Sequence, residues 1–253
     1  MSTDFTAALS TLRHRIDTLD DKLIEHLKER IAIIEEVAAL KRAHTPSHCH
    51  IRSGREGNMH ARIYNAFCAS PFSAVAALSI WRQIIGASTH LESPITVAIS
   101  ASTPELISLA RDYFGRVITI TTPATVSDAI AEIHAAHATI MVIAPPSAAT
   151  LPEWRALKSS SLNIFAALPV ILSENEAPIA YAAAAITPEP SESDETLYMS
   201  SRLSPNASRV IAHVDDTYIF CVAGFYPEGM DSALGVIPRP LHDKTLQPWT
   251  LTL

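Results

Sequence analysis

The sequence predicts a multi-domain chain: an all-α three-helix bundle in residues 1–93, built as an intertwined dimer, followed by an α/β or α+β domain in residues 94–253. Three observations predict it. Of the 17 prolines, only Pro46, Pro71 and Pro94 lie in residues 1–94. Charge divides at the same place, with 11 Lys and Arg against 10 Asp and Glu up to residue 94, and 8 against 16 beyond it. The apolar period also changes there, from helical spacings of three and four to short continuous runs that read as strands.

In the first part, Leu9, Leu12, Ile16, Leu19, Leu23, Leu27, Ile31, Ile34 and Ala38 recur at helical spacing, and no glycine precedes Gly54. One helix is expected from about Phe5 to Ala43, stopped by Pro46. A helix that long cannot be covered by the two shorter ones that follow, so a second copy is the natural cover. Ser53 and Glu56 carry a capping-box signature opening a second helix to about Cys68, and Pro71 opens a third that runs to about Glu92. The domain boundary is placed at 92–95.

Beyond Pro94, ITVAIS, VITIT and TIMVIA read as strands, with PELISLARDYF and TVSDAIAEIHAA as helices between them, a βαβαβ unit. It has no glycine-rich phosphate loop, which argues against ordinary nucleotide binding. NIFAALPVIL, PIAYAAA, ETLYMSS, TYIFCVAGF and ALGVIPRPL read as further strands, residues 204–212 as a helix, and TPEPSESDE as a solvated loop.

Composition excludes several classes. The chain has 253 residues, 48% of them apolar, enough for a buried core. No apolar run reaches the roughly 18 to 20 residues of a membrane helix, and the first residues lack a signal layout, so the cytoplasm is expected. Cys49, Cys68 and Cys221 make neither a disulfide framework nor a metal knuckle. The net charge of −7 argues against nucleic acid as a partner.

The polar residues of the helical part are more specific. Eleven residues separate Arg30 from Lys41, about 20° from whole turns, so they share a face about 16 Å apart along the axis, room for a small organic anion. Arg13 points about 100° away from Arg30 and should serve a different site, the partner's in an intertwined dimer. Solvated charges with buried stems are the competing reading. Capping alone explains Glu56, whereas Arg55 opposes the helix dipole and forms a positive corner with Arg52. Ser88 and Glu92, four apart, share one face of the third helix. His48, Cys49 and His50 are adjacent, a spacing that rarely converges on one metal, and none is expected.

Together LRHRIDTLDDKLIEHLKERIAIIEEVAALKRAH, IRSGRE and WRQIIGASTHLE resemble the all-α chorismate mutases over about residues 9–93. The resemblance implies an isomerase of aromatic amino acid biosynthesis, a homodimer that converts chorismate to prephenate without cofactor or metal. It implies that Arg13 is donated across the interface and that Arg30 and Arg55 hold the substrate carboxylates. Lys41 would reach the ether oxygen and a carboxylate, Glu56 and the backbone near Arg52 the ring hydroxyl, and Ser88 would assist on the carboxylate side. Glu92 falls where most relatives have glutamine. The loop between Lys41 and Arg55 is about two residues longer than usual.

The residue types suit the chemistry. The rearrangement is intramolecular, so the site must hold the compact conformer, which arginine forks on two carboxylates do. Negative charge grows on the ether oxygen, where Lys41 can donate; Glu92 can donate only in its protonated form. The order of segments resembles a mutase followed by a shortened prephenate dehydratase. The Thr-Arg-Phe motif of that family is absent, so an accessory, regulatory role is the reading for the second part. A bifunctional enzyme and an inactive metabolite-binding dimer are the alternatives. His134, His137 and His213 are read as packing or surface residues.

Overall fold

The computed structural model describes residues 3–44, 49, 51–100, 102–226 and 233–246. By compactness the chain falls into two units, Met1–Ser47 and His48–Leu253.

The first unit is helix α1, Thr3–His44. Its 42 residues contain neither glycine nor proline, and at 1.5 Å per residue they span about 60 Å. Leu12, Ile16, Leu19, Leu23, Leu27 and Ile31 form a row along it, all exposed in the single chain.

The second unit begins with α2, Ser53–Phe67, and α3, Ala74–Glu92. The capping box expected at Ser53 does not form: Arg52 is the N-cap, with no side-chain cap bond, and Ser53 is the first helical residue. The third helix starts three residues later than Pro71 suggests, because the Ser73 hydroxyl accepts from Ala76 N and fixes the start there.

The junction expected at 92–95 lies within this unit. After it come β1 (Thr96–Ile99), α4 (Pro104–Phe114), β2 (Thr119–Thr121), α5 (Val126–His134), β3 (Ile140–Ile143) and α6 (Leu151–Lys158). The strands β4 (Asn163–Leu168), β5 (Ile171–Leu172), β6 (Ala180–Ala184), β7 (Asp194–Ser200), β8 (Ala207–Val214), β9 (Thr217–Ala223), β10 (Ala233–Pro238) and β11 (Leu241–His242) complete it. Nine strands form one mixed sheet in the order β2-β1-β3-β6-β4-β10-β7-β9-β8, and β11 pairs with β5. The parallel trio β2-β1-β3 is the βαβαβ unit read from the sequence. The architecture is thus an N-terminal helical part followed by an α/β part.

Two expectations fail locally, and one helix was not foreseen. Residues 204–212 are not helical: Ala207–Val214 pairs antiparallel with β9 across Asp215, whose φ is 52°. Val210 and Ile211 are β-branched, and the hairpin partner supplies the ladder bonds a helix would have made internally. NIFAALPVIL is two strands, broken at Pro169, which has no N–H to donate. The segment LPEWRALK, unassigned from the sequence, is α6, and its Trp154 is fully buried with Nε1 donating to Ala144 O.

Alternation along the strands divides the core between the faces of the sheet. Val97, Ile99, Ile140, Val142 and Phe165 face α4, with Leu106, Leu109 and Phe114. Ala98, Met141, Ile143, Ile164 and Tyr181 face α5 and α6, with Ala129, Ile133 and Trp154.

The helices α2 and α3 dock on this α/β layer at their glycines. A Cβ on Gly54 would overlap the Pro190 carbonyl, and one on Gly86 would overlap the Phe114 carbonyl. TPEPSESDE is therefore not merely solvated: Pro188, Asp194 and Glu195 are buried. The loop meets α2 through an Arg52 Nε bond to Glu189 at 3.0 Å and a Glu192 N bond to Asn58 Oδ1 at 2.8 Å.

Candidate active site

The expected residues fall on both units. Arg13, Arg30 and Lys41 lie on α1. The first turn of α2 brings Arg52, Arg55 and Glu56 together. Arg55 is exposed, with no ion pair among the described residues. Arg52 is committed to Glu189. Ser88 and Glu92 occupy the last turns of α3, where Ser88 is buried and its hydroxyl donates to Ile84 O at 2.6 Å. His48 and His50 lie outside the described residues, and among those described no cluster of three His, Cys, Asp or Glu suits a metal.

Glu56 is the residue whose surroundings the sequence does not foretell. Instead of capping α2, its Oε2 accepts from Arg82 NH1 on α3 at 2.6 Å. Both side chains are buried, Arg82 at 4% exposure and Glu56 at 9%. Arg82 NH1 also lies 3.0 Å from His60 Nε2, while Nε and NH2 both donate to the Tyr113 carbonyl at the end of α4. The guanidinium carbon sits 3.7 Å from the centroid of the Tyr113 ring. Burial first, and then the Arg82 charge, hold the His60 imidazole well below its ordinary range, so it stays neutral and accepts from Arg82 at Nε2. All four hydrogen bonds on the guanidinium thus come from elements other than α3, and the pair satisfies what a buried ion pair requires.

The Oε1 of Glu56 accepts no hydrogen bond among the described residues. A carboxylate fixed through one oxygen and open at the other is an oriented acceptor for a hydroxyl or another donor. The sequence offered one signal for Arg82, a basic residue beside Trp81 in an apolar helix, and gave no indication of its partners. A cavity of about 240 Å³ beside the cluster is lined by Leu78, Arg82, Leu109, Tyr113 and Pro169 and is mainly apolar.

A second ion pair, buried only on the Glu195 side, also went unforeseen. On the sheet, Glu195 of β7 accepts from Arg209 NH2 at 2.6 Å, and Arg239 Nε stands 3.6 Å from its other oxygen. Cys221 Sγ lies 3.4 Å from Arg209 NH2, and burial pushes that thiol upward, away from reactivity. Cys49 is half-buried and Cys68 exposed, and His213 stacks on Tyr218 at 3.9 Å between ring centroids.

No helix among the described residues is long and apolar enough to cross a membrane. No curated protein matches the chain. A solved structure titled "GqqA- a novel type of quorum quenching acylases" is similar at 17% identity, covering 57% of this chain and 95% of that one with a TM-score of 0.38. The helical region is matched by the family described as "Chorismate mutase type II" over residues 12–93, from the third turn of α1 through the end of α3. That match covers about a third of the 253 residues, and the rest of the chain, from β1 onward, is α/β.

Proposed function

We propose that the protein is a chorismate mutase, an isomerase that rearranges chorismate to prephenate for aromatic amino acid synthesis in the cytoplasm, working as a homodimer. The observation that carries this reading is the family match over three successive helices, residues 12–93, which includes every residue the resemblance assigns to the site. The exposed row from Leu12 to Ile31 supports the dimer. At about 1.5–3 kcal/mol for each large aliphatic side chain fully buried, covering it favours association strongly, and a second α1 has the matching length and period.

In this reading Arg13 crosses to the partner's site, and Arg30, Arg55 and Lys41 grip the two substrate carboxylates in the compact conformer. The two arginine forks supply geometry as well as charge, and Lys41 supplies charge. Lys41 and Glu92 face the ether oxygen, where charge grows as the C–O bond breaks. Glu56 accepts from the ring hydroxyl, near the backbone of Arg52, and Ser88 assists a carboxylate. No nucleophile or redox step is needed, so the rate follows from binding the folded substrate and stabilising its transition state. The α/β part is accessory in this reading.

The test is the disappearance of chorismate with appearance of prephenate. Wild-type protein is expected to catalyse it, and Arg30→Ala to lower kcat/KM by at least about a hundredfold, the scale for losing a charge-assisted grip on a carboxylate. Wild-type protein that leaves chorismate unchanged overturns the reading. Equal rates for wild type and variant reject the role given to Arg30.

A further inference from the structure

We infer that Arg82 is a positioning residue for the mutase site: held from the α/β layer by the Tyr113 carbonyl, it fixes the Glu56 carboxylate so that one oxygen stays open for the substrate's ring hydroxyl. The inference rests on the mutase reading and adds to it a residue and a role for the second part of the chain.

The geometry is specific. Glu56 lies in the first turn of α2, Arg82 sits in the middle of α3, and Tyr113 lies in the last turn of α4, beyond the region matched to the mutase family. Arg82 Nε and NH2 straddle one carbonyl oxygen, which fixes the plane of the guanidinium. NH1 is then aimed at Glu56 Oε2 at 2.6 Å, with His60 Nε2 at 3.0 Å as its second acceptor. A planar fork anchored at two nitrogens cannot follow a moving carboxylate, so Glu56 takes the orientation that Arg82 imposes. The Oε2 lone pairs face Arg82, and Oε1 is left to accept. A glutamate oriented before substrate arrives loses less rotamer freedom on binding, which strengthens a hydroxyl contact without adding a new one.

A merely structural ion pair would stabilise the fold and leave recognition of the hydroxyl unchanged, and this difference is measurable. The adjacent Gln83 provides the control, because it also ties α3 to the end of α4: its Nε2 donates to Arg111 O at 3.3 Å and its Oε1 accepts from Arg116 N at 3.1 Å, with no contact to Glu56. The experiment uses the full chain as wild type, Arg82→Lys and Gln83→Leu. It measures kcat and KM for chorismate and the inhibition constants of two dicarboxylate analogues of the compact conformer, one bearing the ring hydroxyl and one lacking it.

Arg82→Lys is expected to raise KM and to weaken the hydroxylated analogue by about tenfold, the scale of one well-oriented hydrogen bond, while the deoxy analogue binds as to wild type. Gln83→Leu should leave the ratio of the two inhibition constants unchanged. That ratio does not depend on the amount of active protein, so partial misfolding of the lysine variant cannot produce the effect. An active wild type whose Arg82→Lys variant keeps the wild-type ratio overturns the positioning role alone. A wild type without mutase activity overturns the role together with the function it rests on.

Discussion

A guanidinium taken out of water needs acceptors for the donors it presents, and Arg82 finds them on two other elements, α2 and α4. Desolvation makes such a pair costly to break: removing one partner leaves the other charged and buried. His60 shares that environment, and its neutrality has a pH consequence. Its folded-state value is lowered below the ordinary 6.5, so above that value both folded and unfolded chains hold it neutral and its full contribution to stability is present. As pH falls below 6.5 the unfolded chain takes up a proton that the folded chain refuses, and stability drops by up to about 1.4 kcal/mol per pH unit. Urea unfolding at pH 7.5 and 5.5 should show this loss, and His60→Gln, which keeps an acceptor and does not titrate, should show a smaller one. Identical pH dependence in the two proteins would refute the assignment of His60 as the buried neutral acceptor.

At the scale of elements, α1 and α3 present opposite cases. The apolar row of α1 was legible because a period of three and four needs no knowledge of neighbours. Its exposure in the single chain makes it the surface on which the proposed dimer is tested. Replacing Leu19 and Leu23 together by Glu, both exposed on α1, should convert a dimer to a monomer in sedimentation while leaving the second unit folded, as reported by its sheet signal in circular dichroism. A double variant that still sediments as a dimer would show that the subunits associate elsewhere. Helix α3 was legible in extent but not in what it touches. Gly86 and Arg82 are compatible with a surface helix or a docked one, and only the Phe114 and Tyr113 carbonyls distinguish the two. Strand β8 misled for a related reason: its alanines and short length allow a helix, and the pairing with β9, far more than local preference, decides against one.

For the whole molecule, the division of the chain carries a prediction. The region matched to the mutase family ends at residue 93, while the compact unit that contains α2 and α3 begins at His48 and runs to the C-terminus. Cutting after Ser93 removes the acceptor of two Arg82 donors and uncovers Ala77 and Leu78, which pack with Ile171. A fragment of residues 1–93 is therefore expected to be much less soluble than the full chain and to lose most of its helical signal at lower temperature. If that fragment is a soluble dimer as stable as the full chain, the α/β layer is dispensable and the boundary at 93 is also the folding boundary.

The three N-terminal helices, the βαβαβ unit and the likeness to chorismate mutases followed from the sequence, because each is set by spacing along one element or by residue type at a fixed offset. The partners of Glu56, the docking of α2 and α3 through Gly54 and Gly86, the order of the nine strands and the Glu195–Arg209 pair were decided by tertiary structure alone. Each of these joins residues far apart in the chain, and a buried charge chooses its partner by which groups the folded layers bring within hydrogen-bond reach, a distance that local sequence does not encode.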